Sequence, residues 1–169
     1  FGREQQAKEF FDAQVAHIEP ILEKEKTGLS VAFFAVASDG TVTVRKPNDY
    51  VSSMIELAGG TYSLNGYVEE EENALSTLKM QMEDFYAAEK DTDILIYNGT
   101  IEGELTSIAE LVQKNSLFAD FKAVKSGQVY TTGSNFYQQT SGTCDFIEDL
   151  NKVLTGDTDA EYRFLKKLD

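Results

Sequence analysis

The chain has 169 residues, with 15 Lys and Arg against 29 Asp and Glu, a formal net charge of −14. That length suits one α/β domain with a sizeable core, and that charge excludes nucleic-acid partners, whose binding rests on a cationic surface. One cysteine, Cys144, leaves no internal disulfide and no thiolate metal cage, and no run of 18 apolar residues suits a membrane-spanning helix.

Residues 3–26 have the period of a helix. Phe11, Val15, Ile18 and Leu22 recur at steps of four, three and four and form one apolar stripe. Pro20 predicts a kink near Ala16. His17, the only histidine, stands one step off the stripe, with no second histidine or cysteine to build a metal or nucleophilic site. Residues 30–37 (SVAFFAVA) are nearly all apolar, as a strand buried on both faces should be. Ser38-Asp39-Gly40 turns the chain, and residues 41–44 alternate as the second strand of a hairpin. A polar loop at 45–49 leads to a helix over 50–58, capped by Asp49 or Asn48 and closed by Gly59-Gly60.

Residues 61–64 suit a strand edge, Glu69 to Glu72 form a solvated acidic run, and residues 77–80 are extended. A helix over 82–90 turns Phe85 inward. Strand 94–97, polar loop 98–103, helix 105–114, short helix 117–124 and strand 129–131 follow. A polar-aromatic loop at 133–142 precedes a helix over 145–154. Tyr162, Phe164, Leu165 and Leu168 predict a terminal helix. Apolar runs of about four residues, each followed by a helical period, indicate βαβ units. The expected fold is therefore α/β, a Rossmann-like three-layer lobe with a mostly parallel sheet flanked by helices.

Ligands on such sheets bind outside the carboxyl ends of the strands, which here carry Tyr97, Asn98, Ser134, Asn135, Phe136, Tyr137 and Gln138. Tyr50, Tyr62 and Tyr67 also fall in or beside predicted loops. Such rings stack on a flat or aromatic ligand and hydrogen-bond to it; packing against the sheet edge is the competing account of each tyrosine. Phe136-Tyr137 is where the ligand account is stronger, because its amide neighbours suit a ligand's polar rim. Arg45 and Lys46 would steer an anionic ligand, or form an ordinary solvated pair. The segment GTIEGE (99–104) lacks the elements of a phosphate loop, and SGTCD (141–145) offers a serine without a base. Neither Asp91 and Asp93 nor Glu102 and Glu104 form a glycosidase pair.

The order of elements, the phrase DTDILIYNG and above all ADFKAVKSGQVY (119–130) resemble the C-terminal lobe of the class III substrate-binding proteins of ABC importers. That family carries iron-siderophores, haem and cobalamin. The resemblance implies that residues 1–27 are an interlobe helix and 28–169 the C-terminal lobe, with an N-terminal lobe of similar size missing. It places residues 38–50, 62–77, 97–100 and 134–138 on the ligand groove, which includes Arg45, Tyr50 and Tyr62 and adds Thr77 to the candidates above. By position Glu83 matches the family's glutamate that pairs with arginines of the permease, although Gln81 stands where the family usually has a Ser or Thr cap. It further implies a metal-chelate or tetrapyrrole ligand, no enzymatic activity, no cofactor, and a lipid-anchored extracellular or periplasmic location. Two other accounts remain open: an enzyme domain completed by another chain, and a surface module that recognises a protein.

Overall fold

Strand β1 (Ser30–Val36) is the hub of the sheet, and its residues Val31 to Phe34 are buried on both faces. In this computed structural model, which describes residues 2–67, 75–157 and 160–169, β1 pairs in parallel with β5 (Ile94–Tyr97). Its other edge is shared. β2 (Val42–Arg45) returns antiparallel along its carboxyl half, and β3 (Thr61–Tyr62) runs parallel beside its start. β6 (Val129–Thr132) extends the parallel centre beyond β5. The borders are antiparallel: β4 (Thr77–Met80) on β2 and β7 (Leu165–Lys167) on β6. The order is β4-β2-β1-β5-β6-β7, with β3 also on β1.

Alternation along β1 sends neighbouring side chains into different helical layers. Phe34 meets Phe85 of α3 (Met82–Glu89) at a ring distance of 4.9 Å, and Phe118 of a 3-10 turn at 5.5 Å. On the opposite face Phe33 lies 6.3 Å from Phe136, which packs 4.2 Å from Phe146 of α7 (Thr143–Thr155). α2 (Tyr50–Leu57) and α1 (Glu4–Leu22) both pack against α7. Each fully buried phenylalanine contributes about 1.5–3 kcal/mol by leaving water, so these two aromatic clusters fix the three-layer α/β architecture.

Several expectations are corrected. The terminal helix is instead strand β7. Buried Asp149 accepts from the backbone N–H groups of Arg163 (2.9 Å), Phe164 (2.7 Å) and Leu165 (3.2 Å), holding that segment extended beside β6. The polar loop at 98–103 contains a helical turn, α4 (Gly99–Glu102), capped by Asn98. The next helix starts later, as α5 (Ile108–Lys114), because Ser107 caps it by accepting from the Glu110 N–H. The short helix at 117–124 divides into a 3-10 turn (Ser116–Asp120) and α6 (Lys122–Lys125), with Phe121 extended between them. α1 spans Glu4 to Leu22 and ends before the expected position 26, with Pro20 in its last turn. Its predicted stripe faces the lobe only in part: Ile18 packs against the core, but Phe11 is 66% exposed, Val15 and Leu22 are also exposed, and Ile21, off the stripe, makes the buried contact. The acidic run at 69–72 lies outside the described residues.

Glu89, in the last turn of α3, is fully buried and accepts a 2.5 Å bond from Thr92 Oγ1. Burial holds its carboxyl above the ordinary value of 4.5. The folded state therefore keeps this proton to higher pH than the unfolded chain does, and folding loses stability as pH rises above about 4.5 towards the raised native value. Glu89→Gln is expected to flatten that decline and to stabilise the fold at pH 8 relative to the parent. Urea melts of both proteins at pH 5 and pH 8 measure this, and identical pH slopes would contradict it.

Candidate ligand-binding cleft

Two hollows open near the carboxyl ends of β1 and β5. The larger, about 560 Å³, lies between α2 and the loop after β6, lined by Tyr50, Ser53, Met54 and Leu57 on one side and Phe136, Gln138, Gln139, Thr140 and Thr143 on the other. The smaller, about 230 Å³, is floored by Phe33 and Ala35 of β1 and walled by Thr43, Arg45, Thr77, Asn98, Ile101 and Glu102. Two side-chain pairs join them. The Arg45 guanidinium stands 5.0 Å over the Tyr50 ring, and Phe33 meets Phe136. A third hollow, about 480 Å³, lies between the end of α1 and α2 and shares Ser53 and Leu57 with the larger one.

Local sequence sets the Arg45–Tyr50 pair. Asn48 adopts a left-handed φ of 63° after Pro47, and Asp49 then accepts from the Val51 N–H at 3.0 Å, starting α2. Tyr50 thus occupies the first helical position, with its side chain 57% exposed. Arg45 Nη2 donates to Tyr50 Oη (3.2 Å) and Nη1 to Ser76 Oγ (3.4 Å), while Nε lies 3.8 Å from Asp49 Oδ1. The arginine side chain is only 17% exposed, so its charge is held in place and partly dried. Thr77 is the register partner of Arg45 on the neighbouring strand.

Other candidates have structural duties. Tyr62 is buried beneath this pair and donates to the Arg45 carbonyl oxygen at 2.6 Å; burial first, then nearby Glu89, pushes its phenol well above the usual tyrosine range. Tyr97 is fully buried, edge-on to Phe34 at 5.8 Å, and its hydroxyl has no hydrogen-bond partner among the described residues. Neither ring is open to a ligand, which corrects the expectation that both face the groove: each ends a strand whose covering layer reaches past it. Asn98 Oδ1 is taken up by Thr100 N–H and Thr100 Oγ1. Phe136 is wedged among Phe33, Phe146 and Phe164 and exposes only an edge as floor. The Ser134 N–H donates to Glu104 Oε1, and Asn135 Nδ2 donates to the Arg163 carbonyl, so both staple the loop.

Tyr137 is 55% exposed on that loop, and Gln138 beside it takes a left-handed φ of 53°, a strained choice for a residue with a side chain. Arg45, Tyr50, Thr77, Asn98, Phe136 and Gln138 therefore line the joined hollows. Glu83 does not: it is exposed in the first turn of α3, in the other helical layer. Its cap, Gln81, makes no side-chain capping bond. Leu57 and Ile101, both exposed and both lining the cleft, were absent from the sequence candidates: Leu57 at helical spacing resembles core, and Ile101 is a single apolar residue in a polar stretch.

A family model described as periplasmic binding protein matches residues 2–136. No curated protein sequence is significantly similar to the chain. Among solved structures, the TroA-like periplasmic binding protein FepB from Veillonella parvula superposes with a TM-score of 0.73 at 13% identity, covering 99% of this chain and 58% of that one. The ABC-type Fe3+-hydroxamate transport system from Saccharomonospora viridis gives 0.72 at 17% identity, covering 90% and 50%. The periplasmic heme binding protein HutB of Vibrio cholerae gives 0.61 at 14%, covering 92% and 56%. At such identities the likeness is one of fold, and the chain spans 50–58% of the length of these three structures.

Proposed function

The chain belongs to the periplasmic binding protein family, and from that premise we propose that it is the C-terminal lobe of a two-lobed ABC-importer receptor that binds a metal chelate. The ligand class is ferric siderophore, haem or cobalamin. One observation carries this reading: a preorganised cation stacked on an exposed ring, Arg45 on Tyr50, where two hollows join at the carboxyl edge of the sheet. Arg45 would meet an anionic rim of the chelate, Tyr50 and Tyr137 would stack on its flat parts, and the amides of Gln138 and Gln139 would bond its edge. The relatives described as handling Fe3+-hydroxamate and heme support the same ligand class.

Binding rather than turnover is the proposed role, which the match to the periplasmic binding protein family supports. Residues 1–27 would serve as the helix joining the lobes. The exposed Phe10, Phe11 and Val15 on α1 suit burial against the remainder of a longer receptor. The lobe would work outside the cytoplasmic membrane, free in a periplasm or held by a lipid anchor, and no described helix is long and apolar enough to cross a membrane.

The test is a thermal-shift panel of haem, cobalamin and ferric siderophores on the two-lobed protein. A ligand at 100 times its Kd should stabilise by about 2.7 kcal/mol; a flat response to all three classes would overturn the assignment. Delivery is tested separately. Glu83→Ala is expected to reduce uptake in cells several-fold while leaving ligand affinity unchanged, because Glu83 sits on α3 away from the cleft. Equal loss of uptake and affinity would remove it from the permease contact.

A further inference from the structure

His17 is the only histidine in the sequence, and the fold gives it partners that lie 128 and 131 positions away in the chain. α1 carries it onto α7, where its Nε2 lies 2.9 Å from Glu148 Oε2. Asp145, one turn earlier on α7, brings a second carboxylate alongside. One ligand atom from each of the three lies within 4.8 Å of the others, and among the described residues this is the one such group. One oxygen of each carboxylate is already held by a cation: Glu148 Oε1 lies 3.0 Å from Lys152 Nζ, and Arg163 Nη1 donates to Asp145 Oδ2 at 2.6 Å. Such outer partners orient metal ligands and hold their geometry. They leave one oxygen of each carboxylate for an ion. His17 and Glu148 are 34% and 37% exposed, so an ion reaches them from solvent.

We propose that His17, Asp145 and Glu148 form a binding site for a divalent transition-metal ion, with zinc as the best match, bridging α1 and α7. One imidazole nitrogen and two carboxylates are a donor set that zinc accepts, with water completing a tetrahedron. Magnesium and calcium want shells of oxygen alone and are disfavoured by the imidazole. None of the three residues lines the cleft, so the site is independent of the chelate ligand. Its effect is mechanical: the ion replaces a single His17–Glu148 contact with three metal bonds and pins the leading helix to the lobe.

The test reads the imidazole NMR signals of His17, assigned by their loss in His17→Ala. Titration with zinc chloride is expected to shift those signals saturably at one ion per chain and to raise the Tm, whereas magnesium chloride does neither. Glu148→Gln and Asp145→Asn keep side-chain shape, and circular dichroism checks that each still folds. Each is expected to weaken zinc binding by more than about 100-fold, beyond the roughly 10–100-fold that loss of an outer partner costs. Imidazole shifts that persist unchanged in both variants would mean that zinc meets a bare surface histidine, and the proposal would fall. Absence of saturation at one equivalent would overturn it equally.

Discussion

Asp149→Ala is expected to destabilise the protein by about 3–5 kcal/mol, because three backbone N–H groups lose their acceptor together and buried donors left unpaired cost about 1–3 kcal/mol each. For a chain of this size that loss lowers the Tm by about 6–20 °C. The donors are the N–H groups of Arg163, Phe164 and Leu165, and the last two belong to buried residues. Phe164 packs on Phe136 and Phe146, so release of this segment also loosens the floor of the larger hollow. Asp149→Asn retains one side-chain acceptor and should recover part of the loss. Hydrogen exchange locates the effect: amides of β6 and β7 should lose protection before those of β1 and β5. A uniform loss of protection across the sheet would mean that Asp149 acts on the whole core rather than on this edge.

Asp149 also shows why one end of the chain was illegible. Phe164, Leu165 and Leu168 carry helical spacing, and nothing near them in sequence announces a strand. What makes them extended is a carboxylate 14 to 16 positions earlier that captures three successive donors. Elements whose signal is local were legible. β1 follows from an unbroken apolar run, β4 from its extended residues, and α2 from the Asp49 cap, which the structure shows bonded to Val51. α4 went unseen because four residues are too few to show a period. Periodicity correctly marked α1 as an amphipathic helix, yet it carries no information on which body the apolar face meets; here Phe11 and Val15 point away from the lobe.

The candidate site divides along the same line. Arg45 and Tyr50 were visible separately, one as a cation on a predicted rim loop and the other as a ring beside it, and the structure stacks them. Tyr62 and Tyr97 looked equivalent in sequence. Their burial depends on cover supplied by distant residues: Phe34 beside Tyr97, and the Arg45 backbone over Tyr62. A strand's last residue therefore faces a cleft only when the layer above it stops short, and that is a property of neighbours that sequence position does not encode.

On the proposed reading, Arg45→Ala should weaken binding of an anionic chelate by about 2 kcal/mol or more, roughly 30-fold in Kd, the scale of losing a partly dried and hydrogen-bonded charge. The magnitude follows from preorganisation. Contacts to Tyr50 Oη, the Tyr50 ring, Ser76 Oγ and Asp49 already hold the guanidinium before any ligand arrives, so little rotamer entropy is lost on binding. Arg45→Lys keeps the charge but loses the planar fork and much of the stacking, and should recover only part of the affinity. The unliganded fold should lose some stability as well, because nearly buried Asp49 loses its cationic neighbour, so affinities are compared only after circular dichroism shows each variant folded. Calorimetric titrations of the two-lobed protein at low and high salt separate the causes. A charge contact predicts that the gap between parent and Arg45→Ala narrows as salt rises. A salt-independent gap would instead assign Arg45 to shaping the wall, with Tyr50 displaced once its partner is gone, and Tyr50→Ala would then give the same loss as Arg45→Ala.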